Sequence, residues 1–315
     1  MEMKNQSVIQ EFILLGLSSS PEHQMAIFWG FSFLYTAALV GNFLYILTIC
    51  TCRKLHTPMY FLLINLSIAN MLCISVTIPK MLQITLAHRK TISFAGCVTQ
   101  VYLFIWALGT EIMLLSFMAF DRYSAICHPL RYPVIMKKEL CLGVVTGVWV
   151  TGMVDSAVHT GLVLQLSFCD SNIINHFFCD LPPLFALSCS DIRINKIMAY
   201  AAAVVFTMGS CMLTLISYMF ILTAIFRIRS AEGKKKAFST CSSHLLVVSF
   251  YFSTIIYTYV RPASSYASEE DKVVAILYSV ATPVLNPLIY SLRNKDVKQA
   301  LKKLVGQFLL RPTLQ

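Results

Sequence analysis

Apolar runs long enough to cross a bilayer recur from one end of the chain to the other, and this recurrence limits the fold more than any single motif. A helix needs about 20 mainly apolar residues to span the hydrocarbon core, and only helices or closed barrels satisfy their backbones there. Seven such runs stand at about 25–50, 58–80, 97–122, 141–165, 197–226, 238–260 and 272–291. They lack the alternating segments of about ten residues that would build a barrel. Soluble domains carry about 25% charged residues; this chain carries 13%, with 57% hydrophobic. The expected fold is an all-α membrane protein, a seven-transmembrane helix bundle spanning 25–293, with an N-terminal segment 1–24 and a tail 294–315.

The net charge of +10 raises the question of nucleic acid. The cations stand in short blocks between apolar runs, such as Arg53 and Lys54 or Lys234 to Lys236, and form no stripe that would track phosphates. Segments after runs one, three, five and seven hold 17 of the 25 basic residues and only Asp121, Glu139, Glu232 and Asp296 among the 15 acidic ones. The basic side is expected to face the cytoplasm, which puts the N-terminus outside at the plasma membrane and makes Asn5 of "NQS" a glycan acceptor. After run seven, Val297, Leu301, Leu304, Val305 and Phe308 share one helical face, with Lys298, Lys302 and Lys303 elsewhere. That pattern reads as a short amphipathic helix on the inner surface. Cys97, Cys169, Cys179 and Cys189 fall on the exterior side, where four cysteines allow two disulfides in three pairings.

Ionisable residues within spans are where function concentrates. Glu111 lies ten residues before Asp121, about 15 Å deeper along a helix. Asn42, Ser67, Asn70 and Asn286 stand at depths that let them converge on it. Asp155 and His159 form an i, i+4 pair in span four; they either bond each other, the favoured reading, or face an outward cavity. Asn286 before Pro287 marks a kink, because proline frees a backbone carbonyl. No metal site is expected, since the cysteines near His176 serve disulfides, and no hydrolase motif occurs. Receptor, transporter or channel, and membrane enzyme remain as classes.

The motifs as a set resemble the vertebrate olfactory (odorant) receptors, within the rhodopsin-like G-protein-coupled receptors. The resemblance rests on "GN" at 41–42, "LHTPMYFLL" at 55–63, "SVTIPKML" at 75–82, "MAFDRYSAICHPLRYPVIM" at 118–136, "SY" at 217–218, "KAFSTCSSHL" at 236–245 and "PVLNPLIYSLRNKDV" at 283–297. It implies disulfides Cys97–Cys179 and Cys169–Cys189. It implies that Asp121 holds Arg122 inward at rest, and that Tyr123, Tyr218, Asn286, Pro287 and Tyr290 belong to the switch. Lys236 and His244 would lie on the part of span six that swings out. Tyr251 would sit at the base of a ligand cavity lined by Phe104, Ile105, Leu108, Gly109, Ala202, Phe206, Thr254, Ile255, Thr258, Tyr259, Ile276 and Ser279.

Two residues depart from the family pattern. Asn70 replaces the usual span-two aspartate, leaving Glu111 as the one carboxylate of a central polar site with Asn42 and Asn70. A sodium site is thereby in doubt, and no other cofactor is implied. Phe252 stands where glycine is common after "FY". The implied function is that of a non-enzymatic odorant receptor. A small volatile ligand favours an active packing, and a stimulatory olfactory heterotrimeric G-protein exchanges nucleotide and raises cAMP. Membrane lipid is the surrounding partner. The competing readings are a rhodopsin-like receptor for another ligand outside the olfactory system and, further off, a transporter.

Overall fold

A computed structural model describes residues 9–18, 20–87, 89–169, 171–228, 230–259, 269–292 and 295–310. Asn5 lies outside them, as does the Lys236 side chain. Seven helices are long and apolar enough to cross a membrane. They are α1 (Pro21–Thr51), α2 (Pro58–Leu86), α3 (Phe94–Cys127), α4 (Lys138–Val163), α5 (Arg193–Arg227), α6 (Ala231–Tyr259) and α7 (269–292). An eighth helix, α8 (Lys295–Leu310), packs on α1 and α7. Its Val297 and Leu304 are buried while Lys298, Lys302 and Lys303 are exposed. The chain is a multi-pass membrane protein.

Helix ends follow local chemistry. Pro58 opens α2, where its missing N–H is not needed. Ser93 caps α3 by accepting from the Gly96 N–H at 3.1 Å. The apolar pattern of the second run ends near residue 80, but α2 continues through Pro79 to Leu86. Neighbouring helices support a helix across a proline in lipid. Wide π turns at Ala203–Met208 in α5 and Leu277–Ala281 in α7 leave no mark in the hydrophobic pattern.

α3 runs through the centre, against α2, α4 and α5. Its contact with α4 is close enough to require glycine. A Cβ on Gly152 would stand 2.9 Å from Thr110 Oγ1 and 3.2 Å from the Trp106 carbonyl. Ser156 donates to the Tyr102 carbonyl, and the Trp106 indole donates to the Trp149 carbonyl, across the same seam. Large apolar side chains such as Trp29, Phe33, Val205 and Phe226 stay more than half exposed. Outside lipid such a belt would drive association.

One end of the bundle, here called the disulfide end, is closed by structure that the helical reading omitted. Strand β1 (Glu11–Leu14) lies between β2 (Thr91–Ser93), antiparallel with Phe12 opposite Ile92, and β3 (Ile173–Ile174), parallel with Leu14 opposite Ile174. Alternate residues point inward, so Phe12 and Leu14 are buried. Disulfides join Cys97 to Cys179 and Cys169 to Cys189. Gln100 stitches the first of these in place. Its carbonyl accepts from the Cys179 N–H, and its amide donates to the Val76 carbonyl, both at 2.8 Å.

The α3–α4 seam gives a clean test. Gly152→Ala must push Thr110 and the Trp106 backbone aside, and we expect a loss of about 1–3 kcal/mol. Gly147, on the same helix with nothing within 4 Å, should accept alanine without loss. Thermal unfolding of the two purified variants checks this, and equal melting temperatures would refute the close-packed seam.

Candidate ligand cavity and polar junctions

Between α3, α4, α5 and α6, toward the disulfide end, lies an apolar cavity of about 60 Å³. Ile105, Leu108, Gly109, Ala202, Phe206, Ile255 and Tyr259 line it, all of them residues that the sequence resemblance singles out. Ile112, Leu181, Ala199, Ala203 and Thr207 also line it without being expected there; Asp155 and His159 line it too, and for them an outward cavity is the less favoured of two sequence readings. The π turn of α5 supplies Ala203, Phe206 and Thr207. Asp155 and His159, 3.5 Å apart, are the polar pair of its wall; the i, i+4 spacing was the available signal.

The other expected lining residues sit elsewhere. Phe104 packs edge-on against Phe178 and tilted against Tyr278. Thr254 donates to carbonyls of its own helix, and Ser279 donates to the Ala275 carbonyl. Ile276 packs against the core. Thr258 lines a second cavity of about 130 Å³ beneath the loop, beside His176, Asp180, Asp271 and Tyr278. α7 contributes none of the residues lining the first cavity; its Ile276 packs on the core and its Ser279 is fully buried. Tyr251, fully buried, donates to the Leu108 carbonyl at 3.4 Å, and Phe252 is buried beside it.

Asp180 separates the two cavities. It is 2% exposed and accepts from the Leu181 N–H at 2.7 Å and from Tyr278 at 3.3 Å. The Tyr259 hydroxyl stands 2.9 and 3.0 Å from its two oxygens. One loop carboxylate thus holds the ends of α6 and α7. Sequence reasoning passed over it, because it stands in a loop read only for cysteines.

Deeper in the bundle, Asn70 bonds to Asn42 at 3.4 Å and receives a bond from Asn286 at 3.2 Å, while Asn42 also donates to the Ala38 and Pro283 carbonyls. Glu111 stands apart from this chain of amides. It is fully buried beside the Tyr251 hydroxyl, which also donates to the Leu108 carbonyl at 3.4 Å. An amide donates as well as accepts, so Asn70 satisfies itself between two other asparagines where a carboxylate would require a cation or proton. Among the described residues no three His, Cys, Asp or Glu side chains form a metal-binding group.

At the end opposite the disulfides, His244 of α6 is fully buried. Its Nε2 is 3.1 Å from the Leu115 carbonyl of α3, and its Nδ1 is 2.8 Å from the Tyr218 hydroxyl of α5. A carbonyl only accepts, so Nε2 carries the proton, and in a neutral ring Nδ1 accepts from Tyr218. Among the described residues Asp121 and Arg122 form no ion pair within 4.0 Å, although the Arg122 charge still acts on Asp121. Adjacent helical residues point in different directions. Asp121 instead accepts from Tyr132, in the turn after α3, at 2.8 Å. Arg122 lies near Tyr218, Cys241, His244 and Tyr290. Tyr123 bonds to His128, and the Tyr290 hydroxyl has no partner among the described residues. Pro287 lies inside α7, against Gly41 of α1.

Comparison with known proteins decides what this geometry belongs to. The olfactory receptor family model matches residues 31–308. Olfactory receptor 13G1 of Homo sapiens is 50% identical over 299 residues, covering 95% of this chain and 97% of that protein. Olfactory receptor 5AP2 of Mus musculus is 50% identical over 307 residues, covering 98% and 97%.

The chain belongs to the olfactory receptor family.

As an olfactory receptor it is a rhodopsin-like G-protein-coupled receptor without catalytic activity, and family membership gives it an odorant ligand and a G-protein partner. Olfactory receptor 13A1 of Homo sapiens, 46% identical over 306 residues, covers 97% of this chain and is itself covered to 93%. The similarity therefore extends over nearly the whole length of the chain.

The loop junction carries a pH signature. Burial pushes the Asp180 carboxyl from 3.8 up to about 6, in spite of three donors. Burial holds His176, 5% exposed, down from 6.5 to about 3. Between about pH 4 and 6 native Asp180 keeps a proton that the unfolded chain releases, so its contribution to stability falls as pH rises through that window. His176 acts oppositely: its contribution falls as pH drops below 6.5. We expect Asp180→Asn to lose stability more steeply than the parent on acidification from pH 6 to 4, and His176→Asn to lose it less steeply. Melting temperature against pH tests both, and three parallel curves would refute the junction's electrostatics.

Proposed function

We propose that this olfactory receptor takes a small, mostly apolar volatile molecule into the cavity between α3, α4, α5 and α6. Occupancy favours a packing in which α6 swings outward at its His244 end. The opened face then catalyses nucleotide exchange on a stimulatory heterotrimeric G-protein, raising cAMP. The observation that carries the reading is the cavity itself: its wall is mostly apolar, with Thr207, Tyr259 and the Asp155–His159 pair as its polar groups. Area removed from water supplies affinity, and a few placed polar groups set orientation. Because α6 reaches from Tyr259 at the cavity to His244 at the far junction, a ligand that moves α6 acts on both.

The orientation belongs to this reading. The disulfide end faces outside, where thiols oxidise, and the end carrying Arg53, Lys137, Lys138 and α8 faces the cytoplasm. At that inner end Arg122 is freed to meet the G-protein, with Tyr218 and Tyr290 moving around it and Tyr132 as the resting partner of Asp121. Lys236 and Tyr123 lie on the same rim. Asn5, with its glycan, lies outside. The three-asparagine network replaces a sodium site.

In cells screened for cAMP against a broad odorant panel, Tyr259→Phe should raise the half-maximal concentration of an activating odorant by about three- to tenfold, the worth of one hydrogen bond. Arg122→Ala should abolish the cAMP rise at unchanged surface expression. A full response from Arg122→Ala would overturn the G-protein reading, and substrate uptake surviving that change would point to a transporter.

Sodium provides a separate test. The parent's response should not vary as sodium replaces another monovalent cation, whereas Asn70→Asp should create a dependence. Identical behaviour of the two would sink this role for Asn70.

A further inference from the structure

We propose that a basic cavity between the turn after α1 and helix α8 binds the headgroup of a phosphoinositide lipid of the inner leaflet. The cavity measures about 740 Å³ and lies away from both the ligand cavity and the His244 junction. Two cations come from the α1 turn, Arg53 and Lys54, and two from α8, Lys302 and Lys303. Among the described residues none of the four has a carboxylate within 4.0 Å, although the cavity holds one acid, Asp296. The arrangement is thus four positive charges to one negative, converging from two elements that α8 packing holds together.

Charge count chooses the occupant. Each phosphomonoester carries about −1.5 to −2 near neutral pH, so a headgroup with two of them and a phosphodiester carries about −4 to −5. That matches the four cations, whereas phosphatidylserine, with a net charge near −1, would leave most of them unneutralised. The position also suits a lipid. α8 buries Val297 and Leu304 against the bundle and turns Lys302 and Lys303 to the rim, the arrangement of a helix lying in the plane of a membrane surface. Leu304 gives the cavity an apolar border where acyl chains would leave the headgroup. This inference rests on the orientation proposed above, which puts α8 on the cytoplasmic side.

The full-length receptor in phosphatidylcholine nanodiscs tests it, with either a few per cent phosphatidylinositol bisphosphate or phosphatidylserine at matched total charge. Retained lipid is read by native mass spectrometry. The parent should keep the bisphosphate lipid in preference to phosphatidylserine. On about fivefold per cation at a membrane surface, Lys302→Gln with Lys303→Gln should weaken retention by about 25-fold, and Arg53→Gln with Lys54→Gln should do the same from the other wall. Lys137→Gln with Lys138→Gln, which removes two cations from a different cavity, should change it less than about twofold. Melting temperatures of all three pairs identify any that fail to fold, and the remaining wall pair then carries the comparison.

Equal retention of phosphatidylserine, equal loss in the Lys137/Lys138 pair, or equally tight binding of soluble inositol trisphosphate would each overturn the proposal. A C-terminal epitope probed on intact and permeabilised cells separates the two readings. An epitope reached only after permeabilisation, with no lipid preference, defeats this inference alone. An epitope reached on intact cells defeats the orientation as well.

Discussion

One buried imidazole joins three helices at the end of the bundle opposite the disulfides. His244 of α6 reaches the Leu115 carbonyl of α3 on one side and the Tyr218 hydroxyl of α5 on the other. In lipid the apolar faces of helices gain little by meeting each other rather than acyl chains, so such polar contacts bear much of the specificity of packing. Each is worth only about 1–2 kcal/mol. A junction of that size holds one packing at rest, yet a ligand's differential affinity can outweigh it.

The opposite end is built not to move. Cys97–Cys179 closes a loop with a sequence separation of 82 residues, Cys169–Cys189 one of 20, and the three-stranded sheet lays β1 across both. Gln100 and Asp180 then tie the loop to α2, α3, α6 and α7. The cavity lies just beneath this fixed cap, at the upper part of α6. In the proposed activation, a fixed end next to the ligand and a hydrogen-bonded end at the opposite face would let a small displacement at Tyr259 become a larger one beyond His244.

The seven helices were legible in the sequence because lipid imposes them: a span without about 20 apolar residues cannot exist. The cap was not, since its strands run two to four residues and pair across about 80 to 160 positions, too short for periodicity and too distant for turn signals. Cavity residues on α3, α5 and α6 could be named by resemblance, whereas for α4 the i, i+4 spacing left Asp155 and His159 between a self-satisfied pair, the favoured reading, and a cavity wall; both line the cavity and stand 3.5 Å apart. The Asp121–Arg122 latch came from resemblance, and nothing in the local pattern announced the hydrogen bond that Tyr132 gives Asp121 from eleven residues away. Asn70 and Glu111 looked convergent by depth, but the amide finds better partners in Asn42 and Asn286.

Movement of α6 is open to direct measurement. Spin labels at Phe238 on α6 and Leu142 on α4, both exposed, report the separation of the two helices at the His244 end. Addition of an activating odorant should lengthen that distance by several ångströms in receptor that retains the disulfides. An unchanged distance while the same sample drives nucleotide exchange on the G-protein would contradict an outward swing of α6 as the step that couples ligand to signal.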